Sequence, residues 1–129
     1  AVEVHGAHGY LAGAFASPLS NKRSDEYGGT IRNRARFGME IIRNIKEKCG
    51  KDYPVLYRIS SVEYVPGGLD IEESKVIARL MEEAGADCIH CSQGVYASTH
   101  TIIPPSVFPR ERKRKRYPLP GKSAYRNGR

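Results

Sequence analysis

Short apolar segments alternate along this chain with longer segments in which apolar residues recur at helical spacing. Residues 2–5, 54–59 and 86–91 are predicted to be buried strands. Residues 31–48, and those between Asp70 and Gly85, have the periodicity of amphipathic helices. Strands separated by such helices are typical of parallel βαβ units. The pattern therefore predicts an α/β fold built on a parallel sheet.

The two predicted helices carry end signals as well as apolar stripes. Gly50 follows the first helix at the position of a glycine cap. Asp70 and Glu73 have the spacing of an N-cap residue and a Glu at the third helical position, and Gly85 ends the second helix. We expect both stripes to be buried. The first consists of Phe37, Ile41, Ile42 and Ile45, and the second of Val76, Ile77, Leu80, Met81 and Ala84.

Polar groups with catalytic potential follow the first predicted strand. His5, His8 and Tyr10 come just past its end, and residues 11–27 are predicted to form a long polar loop with a turn signal at Ser17-Pro18. Imidazoles and a phenol gathered there can polarise a carbonyl group and deliver a proton.

Two later strands also end in polar residues. Arg58 and Ser92 fall at the carboxyl ends of the second and third predicted strands, as His5 does at the first. In parallel α/β barrels, catalytic groups lie at this end of the strands. The periodicity alone therefore places these residues where an active site is expected.

A run of motifs carries a family resemblance. It comprises His5-x-x-His8-Gly9-Tyr10-Leu11, Phe15-x-Ser17-Pro18-x-x-Asn21-x-Arg23-x-Asp25-x-Tyr27-Gly28-Gly29, Asn33-Arg34-x-Arg36-Phe37, Tyr57-Arg58-Ile59-Ser60 and Cys91-Ser92-Gln93-Gly94-Val95-Tyr96. Together these motifs resemble the old yellow enzyme family. Its members are flavin-dependent NADH:flavin oxidoreductases that include 2,4-dienoyl-CoA reductases and enoate reductases.

The resemblance implies a (β/α)8 TIM barrel. Such a barrel needs roughly 250 residues, whereas this chain has 129. We therefore expect a partial barrel in residues 1–109, roughly strands 4–6 with their helices. The loops that hold the flavin phosphate, and the cysteines that bind an iron–sulfur cluster in larger members, would lie outside this chain.

The resemblance also implies roles for individual residues. His5 and His8 would be catalytic and substrate-binding, donating hydrogen bonds to the carbonyl oxygen of an α,β-unsaturated substrate. Tyr10 would protonate the substrate's α carbon as a catalytic acid. Arg58 would bind the pyrimidine edge of FMN, where a fixed positive charge stabilises the reduced flavin.

The implied activity is an NAD(P)H:flavin oxidoreductase of the ene-reductase type. With FMN as cofactor and NAD(P)H as reductant, the parent enzyme would reduce the activated C=C bond of enones, enoates or dienoyl-CoA compounds. We expect the chain by itself to be inactive. A cytoplasmic location is expected, since the sequence has no apolar run long enough to span a membrane.

Other interpretations of the same residues remain open. The histidine pair is also typical of core or loop residues with satisfied hydrogen bonds, and Tyr10 of an aromatic residue packed on a loop. Histidines at i and i+3 also bind zinc, although no third or fourth ligand is evident nearby. Cys88 and Cys91 have Cys-x-x-Cys spacing, but in a strand they would face opposite sides, which argues against a shared metal.

The net charge of +7 comes from the last residues of the chain. Residues 110–129 contain nine Lys or Arg and one Glu, so the preceding part is close to neutral. This basic segment departs from the family pattern and is predicted to be disordered and solvated, or the product of a shifted reading frame. The alternative function is a non-catalytic basic module that contacts nucleic acid through this segment.

Overall fold

The computed structural model describes residues 1–102, apart from the side chain of His100. The basic segment at residues 110–129 lies outside the described residues, so its predicted disorder and the nucleic-acid alternative stay predictions. The elements, in chain order, are β1 (Val2–Gly6), α1 (Leu11–Ala16), α2 (Ile31–Cys49), β2 (Val55–Ser60), α3 (Ile71–Glu83), β3 (Cys88–Ser92), a 3₁₀ turn (Tyr96–Ser98) and α4 (Thr99–Ile102).

The three strands form one parallel sheet in the order β1-β2-β3. Each predicted strand and each predicted helix is present, with ends that shift by one or two residues. In register, His5 pairs with Arg58, and Arg58 pairs with His90. The predicted parallel βαβ arrangement is therefore confirmed, and it aligns the three strand ends along one edge of the sheet.

Helices α2 and α3 cover one face of this sheet and form the core with it. The residues that are essentially inaccessible to solvent there come from both helices and from β2: Ile42, Val55, Tyr57, Ile59, Ile77 and Met81. The strand residues that alternate with them point to the opposite face. Glu3, His5 and His90 on that opposite face are exposed, so the sheet has one apolar face and one polar face.

Side-chain caps begin both long helices. The Thr30 hydroxyl accepts from the backbone N–H of Asn33 at 3.2 Å, and the Asp70 carboxylate accepts from that of Glu73 at 2.9 Å. The predicted N-cap at Asp70 is therefore confirmed. The Glu73 carboxylate accepts a hydrogen bond from Arg34 Nη2 at 2.6 Å, which joins α2 to α3. Gly50 ends α2 with φ of 98°, a conformation that favours glycine.

The prediction of one polar loop over residues 11–27 is wrong, because the short helix α1 (Leu11–Ala16) lies inside it. Its sequence is rich in alanine, the strongest helix former, and Ala12, Gly13 and Ala16 are buried. A Cβ atom at Gly13 would lie 3.1 Å from the Gly6 carbonyl oxygen. The small residues therefore let α1 pack directly on the end of β1.

The predicted apolar stripes are partly wrong. Val76 is 43% exposed, so it lies outside the buried face of α3, which consists of Ser74, Ile77, Leu80 and Met81. On α2, Phe37 and Ile41 are only half-buried, and the buried face includes Gly38. A Cβ atom at Gly38 would approach the Tyr57 hydroxyl to 2.8 Å. The close packing of Gly38 against Tyr57 thus means that α2 buries a different face from the one its apolar residues predicted.

Candidate active site

His8 is held at the point where the three strand ends meet. Its backbone lies in the left-handed region, with φ of 60°, which is uncommon for a residue other than glycine. The His8 N–H donates to Ser60 Oγ at 2.9 Å, and the Ser60 hydroxyl donates to the Gly94 carbonyl at 2.9 Å. Because Ser60 ends β2 and Gly94 follows β3, one hydroxyl fixes the loop after β1 to both neighbouring strands.

Three aromatic rings cluster beside this point. The ring centroid of His5 lies 5.3 Å from that of His8, in an edge-to-face arrangement, and 5.0 Å from that of Tyr10. His8 is buried, whereas Tyr10 is 48% exposed. The cluster therefore places two imidazoles and a phenol within reach of one small molecule that approaches from the open side.

Tyr10 has a hydrogen-bond partner at its hydroxyl. Tyr10 Oη and Tyr96 Oη are 2.8 Å apart, and their ring centroids are 5.7 Å apart. Tyr96 begins the 3₁₀ turn after β3 and is 64% exposed. The hydrogen bond to Tyr10 raises the pKa of the Tyr96 hydroxyl, and the charge interaction with Tyr10 raises it further. The Tyr96 phenol is thus protonated at neutral pH, and the two tyrosines lie at the rim of the cluster.

Arg58 connects to the same cluster through Ser92. The guanidinium Nη2 donates to Ser92 Oγ at 3.3 Å, and Ser92 Oγ lies 2.6 Å from His8 Nε2. Arg58 Nε is buried and has no hydrogen-bond partner among residues 1–102. A buried N–H of this kind costs free energy unless an acceptor is present, so Arg58 offers a donor to a group that this part of the chain does not supply.

The environment of His8 favours its neutral form. Burial lowers the pKa of His8 below its usual value, and the charges of Arg58 and His5 lower it further. A neutral imidazole has one ring nitrogen that donates and one that accepts. His8 can therefore offer one N–H to a ligand while its other nitrogen accepts a hydrogen bond from the protein.

A buried carboxylate anchors the loops beneath the cluster. Glu63, which is 2% exposed, accepts from the Ser17 hydroxyl at 2.7 Å and from the Leu69 N–H at 2.9 Å. Its backbone carbonyl accepts from the Ser98 hydroxyl at 2.6 Å. Glu63 thus ties the end of α1, the loop before α3 and the 3₁₀ turn together, which fixes the segment that carries Tyr96.

The structure brings together all four residues singled out in the sequence. His5, His8 and Tyr10 are in ring contact, and Arg58 joins them through Ser92. Sequence reasoning placed Ser92 at a strand end without giving it a role. It missed three further residues, Ser60, Glu63 and Tyr96. Ser60 and Tyr96 follow the same signal as the others, since each lies at or just past the carboxyl end of a strand.

The polar face continues away from this cluster. His90 Nδ1 on β3 lies 2.5 Å from the Glu3 carboxylate on β1, across the intervening strand. Among the described residues, no group of three or more His, Cys, Asp or Glu side chains is arranged to hold a metal ion. Cys88 and Cys91 are free and exposed. Within residues 1–102, no helix combines the length and apolar character needed to cross a membrane.

The family of the chain follows from its match to known sequences. The model of the NADH:flavin oxidoreductase / NADH oxidase family matches residues 1–118. The chain belongs to this family. It is 52% identical over 107 residues to the NADH oxidase of Thermoanaerobacter brockii, a match that covers 83% of this chain and 16% of that protein. The chain thus spans about a sixth of the length of this relative.

Solved structures of the family share the fold. A 2-naphthoyl-CoA reductase in complex with 2-naphthoyl-CoA matches 74% of this chain and 14% of its own, with a TM-score of 0.69 and 38% identity. The old yellow enzyme of Trypanosoma cruzi matches 75% of this chain and 27% of its own, with a TM-score of 0.61 and 31% identity. Because the old yellow enzymes are TIM barrels, the expected partial (β/α)8 barrel is confirmed.

Proposed function

We propose that the chain supplies the substrate-activating part of an FMN-dependent oxidoreductase that uses NAD(P)H to reduce the C=C bond of α,β-unsaturated carbonyl compounds. The observation that carries this proposal is the cluster of His5, His8 and Tyr10 beside Arg58, at the carboxyl ends of β1 and β2. Active sites of TIM barrels lie at this end of the strands. The family match makes flavin chemistry the natural use of such a cluster.

Arg58 fits FMN as a partner. Its buried Nε–H lacks an acceptor among the described residues, and the carbonyl-rich pyrimidine edge of a flavin provides acceptors. When bound and reduced, FMN would supply a hydride for the substrate's β carbon. The fixed charge of Arg58, which a guanidinium keeps at any physiological pH, would favour the anionic reduced flavin.

The two histidines would activate the substrate. Hydrogen bonds from His5 and His8 to the carbonyl oxygen draw electron density from the conjugated C=C bond, so that its β carbon accepts a hydride. The same bonds strengthen as negative charge develops on that oxygen, which stabilises the transition state selectively. His8 suits this role because the Ser60 hydroxyl fixes its backbone, so the position of the donor is set in advance.

Tyr10 would complete the reduction by protonating the α carbon. A phenol is protonated at neutral pH and can act as a general acid. Its exposed position at the rim lets it reach a substrate held by the histidines, because its ring is 5.0 Å from that of His5. The hydroxyl of Tyr96, 2.8 Å away, would return a proton to Tyr10 or keep its ring in place.

Enones, enoates and acyl-CoA thioesters are the proposed substrate class. One solved relative, which is 38% identical, is a 2-naphthoyl-CoA reductase bound to its acyl-CoA compound. In this chain Tyr10 and Tyr96 form an aromatic rim that is open to solvent. Such a rim would contact the flat apolar part of an unsaturated acyl group while leaving a bulky carrier outside.

The test requires a complete barrel. We suggest a chimera in which residues 1–102 of this chain replace the matching segment of the Thermoanaerobacter brockii NADH oxidase. Replacing His5 and His8 together by Ala should slow reduction of 2-cyclohexenone or crotonyl-CoA by about 10²–10³, the usual cost of losing oxyanion donors. Flavin absorbance should show that FMN stays bound, and reduction of the flavin by NADH should change less.

His90→Ala is the matched control. His90 lies on the same sheet face but contacts Glu3 rather than the aromatic cluster, so this variant should keep its enone reductase activity. If the double histidine variant reduced both substrates as fast as the chimera itself, the proposed role of the histidines would be wrong.

A further inference from the structure

Ser92, the last residue of β3, contacts two side chains of the proposed site. Its hydroxyl oxygen lies 3.3 Å from Arg58 Nη2 and 2.6 Å from His8 Nε2. The proposed chemistry gives this hydroxyl no role. It lies between a permanent cation and a neutral imidazole, which limits the directions in which its hydrogen bonds can run.

The direction follows from what each group can do. A guanidinium only donates hydrogen bonds, so Ser92 Oγ accepts from Arg58. The serine hydroxyl has one proton, and His8 Nε2 is the acceptor within reach of it among the described residues. If Nε2 accepts, the single proton of the neutral imidazole is on Nδ1.

We propose that Ser92 is a positioning residue that holds His8 in the tautomer with its proton on Nδ1, so that His8 donates to the substrate's carbonyl oxygen through Nδ1. The role of that donated bond depends on the proposed function, whereas the position of the proton does not. Hydrogen bonds then run in one direction from Arg58 through Ser92 and His8 to the substrate.

Three further observations support this assignment. Nδ1 of His8 has no hydrogen-bond partner among residues 1–102 and is not enclosed by them, so it is available to a ligand. The lowered pKa of His8, caused first by burial and then by Arg58 and His5, keeps the ring neutral. Aligned hydrogen bonds polarise one another, so the charge of Arg58 strengthens the donor that His8 presents.

The proton can be located directly by NMR. We suggest two-bond ¹H–¹⁵N correlation spectra of the FMN-loaded chimera with ring-labelled histidine, in which a protonated ring nitrogen is well separated from an unprotonated one. The signals of His8 are those that disappear in His8→Asn. The wild-type spectrum should show the proton on Nδ1. A proton on Nε2 in the wild type would overturn the proposal without any further variant.

Ser92→Thr and Ser92→Val form the matched pair, because the first keeps the hydroxyl and the second lacks it at similar volume. The threonine variant should keep the proton on Nδ1, and the valine variant should shift it toward Nε2 and slow enone reduction about tenfold, the worth of one hydrogen bond. A valine variant with an unchanged His8 spectrum would show that Ser92 does not set the tautomer.

Ser61→Ala is the control, because its hydroxyl donates to the Ser92 backbone carbonyl at 2.7 Å without contacting His8. This variant should leave the His8 signals unchanged. The result is also separable from that of the proposed function. An Nδ1 proton that depends on Ser92, together with full activity of the double histidine variant, would keep the tautomer assignment and reject the catalytic role.

Discussion

The two faces of the sheet differ in composition although neighbouring residues of the same strands form them. On β2, Tyr57 is 1% exposed under α2 and α3, whereas Arg58 points to the other face and joins the aromatic cluster. On β1, Val4 packs against the core, whereas His5 is exposed. Alternation along a strand therefore assigns one residue to stability and the next to chemistry.

The difference shows which observations bear on function. The covered face obeys ordinary core rules, with apolar side chains packed at close range. The polar face exposes Glu3, His5 and His90. Exposed polar side chains of this kind add little to the stability of a sheet. In a TIM barrel this is the face that points inward. The following predictions test whether the two faces divide stability and chemistry in this way.

The largest effect is expected for FMN binding by the chain itself. β1 and β3 are both open edges of the described sheet, so the polar face has no opposite wall. Phosphate sites of TIM barrels are made by the loops after strands 7–8, which the expected strands 4–6 do not include. Titration of the purified chain with FMN should give no saturable fluorescence quenching at micromolar concentration, whereas the chimera should bind it.

Stoichiometric FMN binding by the chain, or NADH-dependent enone reduction, would mean that the polar face of this sheet is sufficient by itself. In that case the polar face would carry out its chemistry without a closed barrel.

The next effect concerns the covered face. Ile77 is inaccessible to solvent, and Ile77→Ala should lower the free energy of unfolding of the chimera by about 2–5 kcal/mol, the usual cost of truncating a buried aliphatic side chain. Val76 is next to it on α3 but 43% exposed, so Val76→Ala should change that free energy by less than about 0.5 kcal/mol. Denaturant titrations followed by circular dichroism measure both.

This pair of variants also checks the corrected stripe of α3. Equal losses at positions 76 and 77 would indicate that the helix presents the originally predicted face to the core. In both variants, the rate of enone reduction per folded molecule should stay close to that of the chimera.

A somewhat smaller effect is expected on the polar face for Tyr10→Phe. Loss of a general acid typically costs about 10²-fold or more in rate, and here only the step that protonates the α carbon should slow. Stopped-flow absorbance can follow flavin reduction by NADH and flavin reoxidation by enone separately. The first rate should stay close to wild type. Equal losses in both would assign Tyr10 to structure or to flavin binding.

The sequence predicted the strands, the long helices and the four clustered residues because these depend on local periodicity and on family motifs. It did not predict α1, whose helix is stabilised by contact of Gly13 with the end of β1. Nor did it predict that Ser60 would hold His8 in a left-handed conformation. Both depend on contacts between segments that are distant in sequence, and local sequence patterns do not predict such contacts.

Arg34 illustrates the same limit. The sequence marks it only as part of a family motif, whereas in the structure its guanidinium donates to the carbonyl oxygens of Ala16 at 3.0 Å and Gly29 at 2.8 Å. Its third bond, to Glu73 on α3, could not be read from the motif, because the two residues are far apart in sequence. That bond joins α2 to α3, the two helices that pack against the other face of the sheet.

The smallest effect is expected for Glu3→Gln, which removes the charge that faces His90. The two side chains are 37% and 47% exposed, and even a fully charged pair at such an exposed position contributes less than about 1 kcal/mol. The pair lies on the polar face but away from the strand ends, where Ser92 and Arg58 meet His8. The variant should therefore keep the stability, the FMN affinity and the enone reductase rate of the chimera within that limit. A loss of the size expected for the histidine pair would extend the functional surface from the strand ends over the whole polar face. Glu3 would then contribute to the reaction, as proposed for His5, and not only to a surface contact with His90.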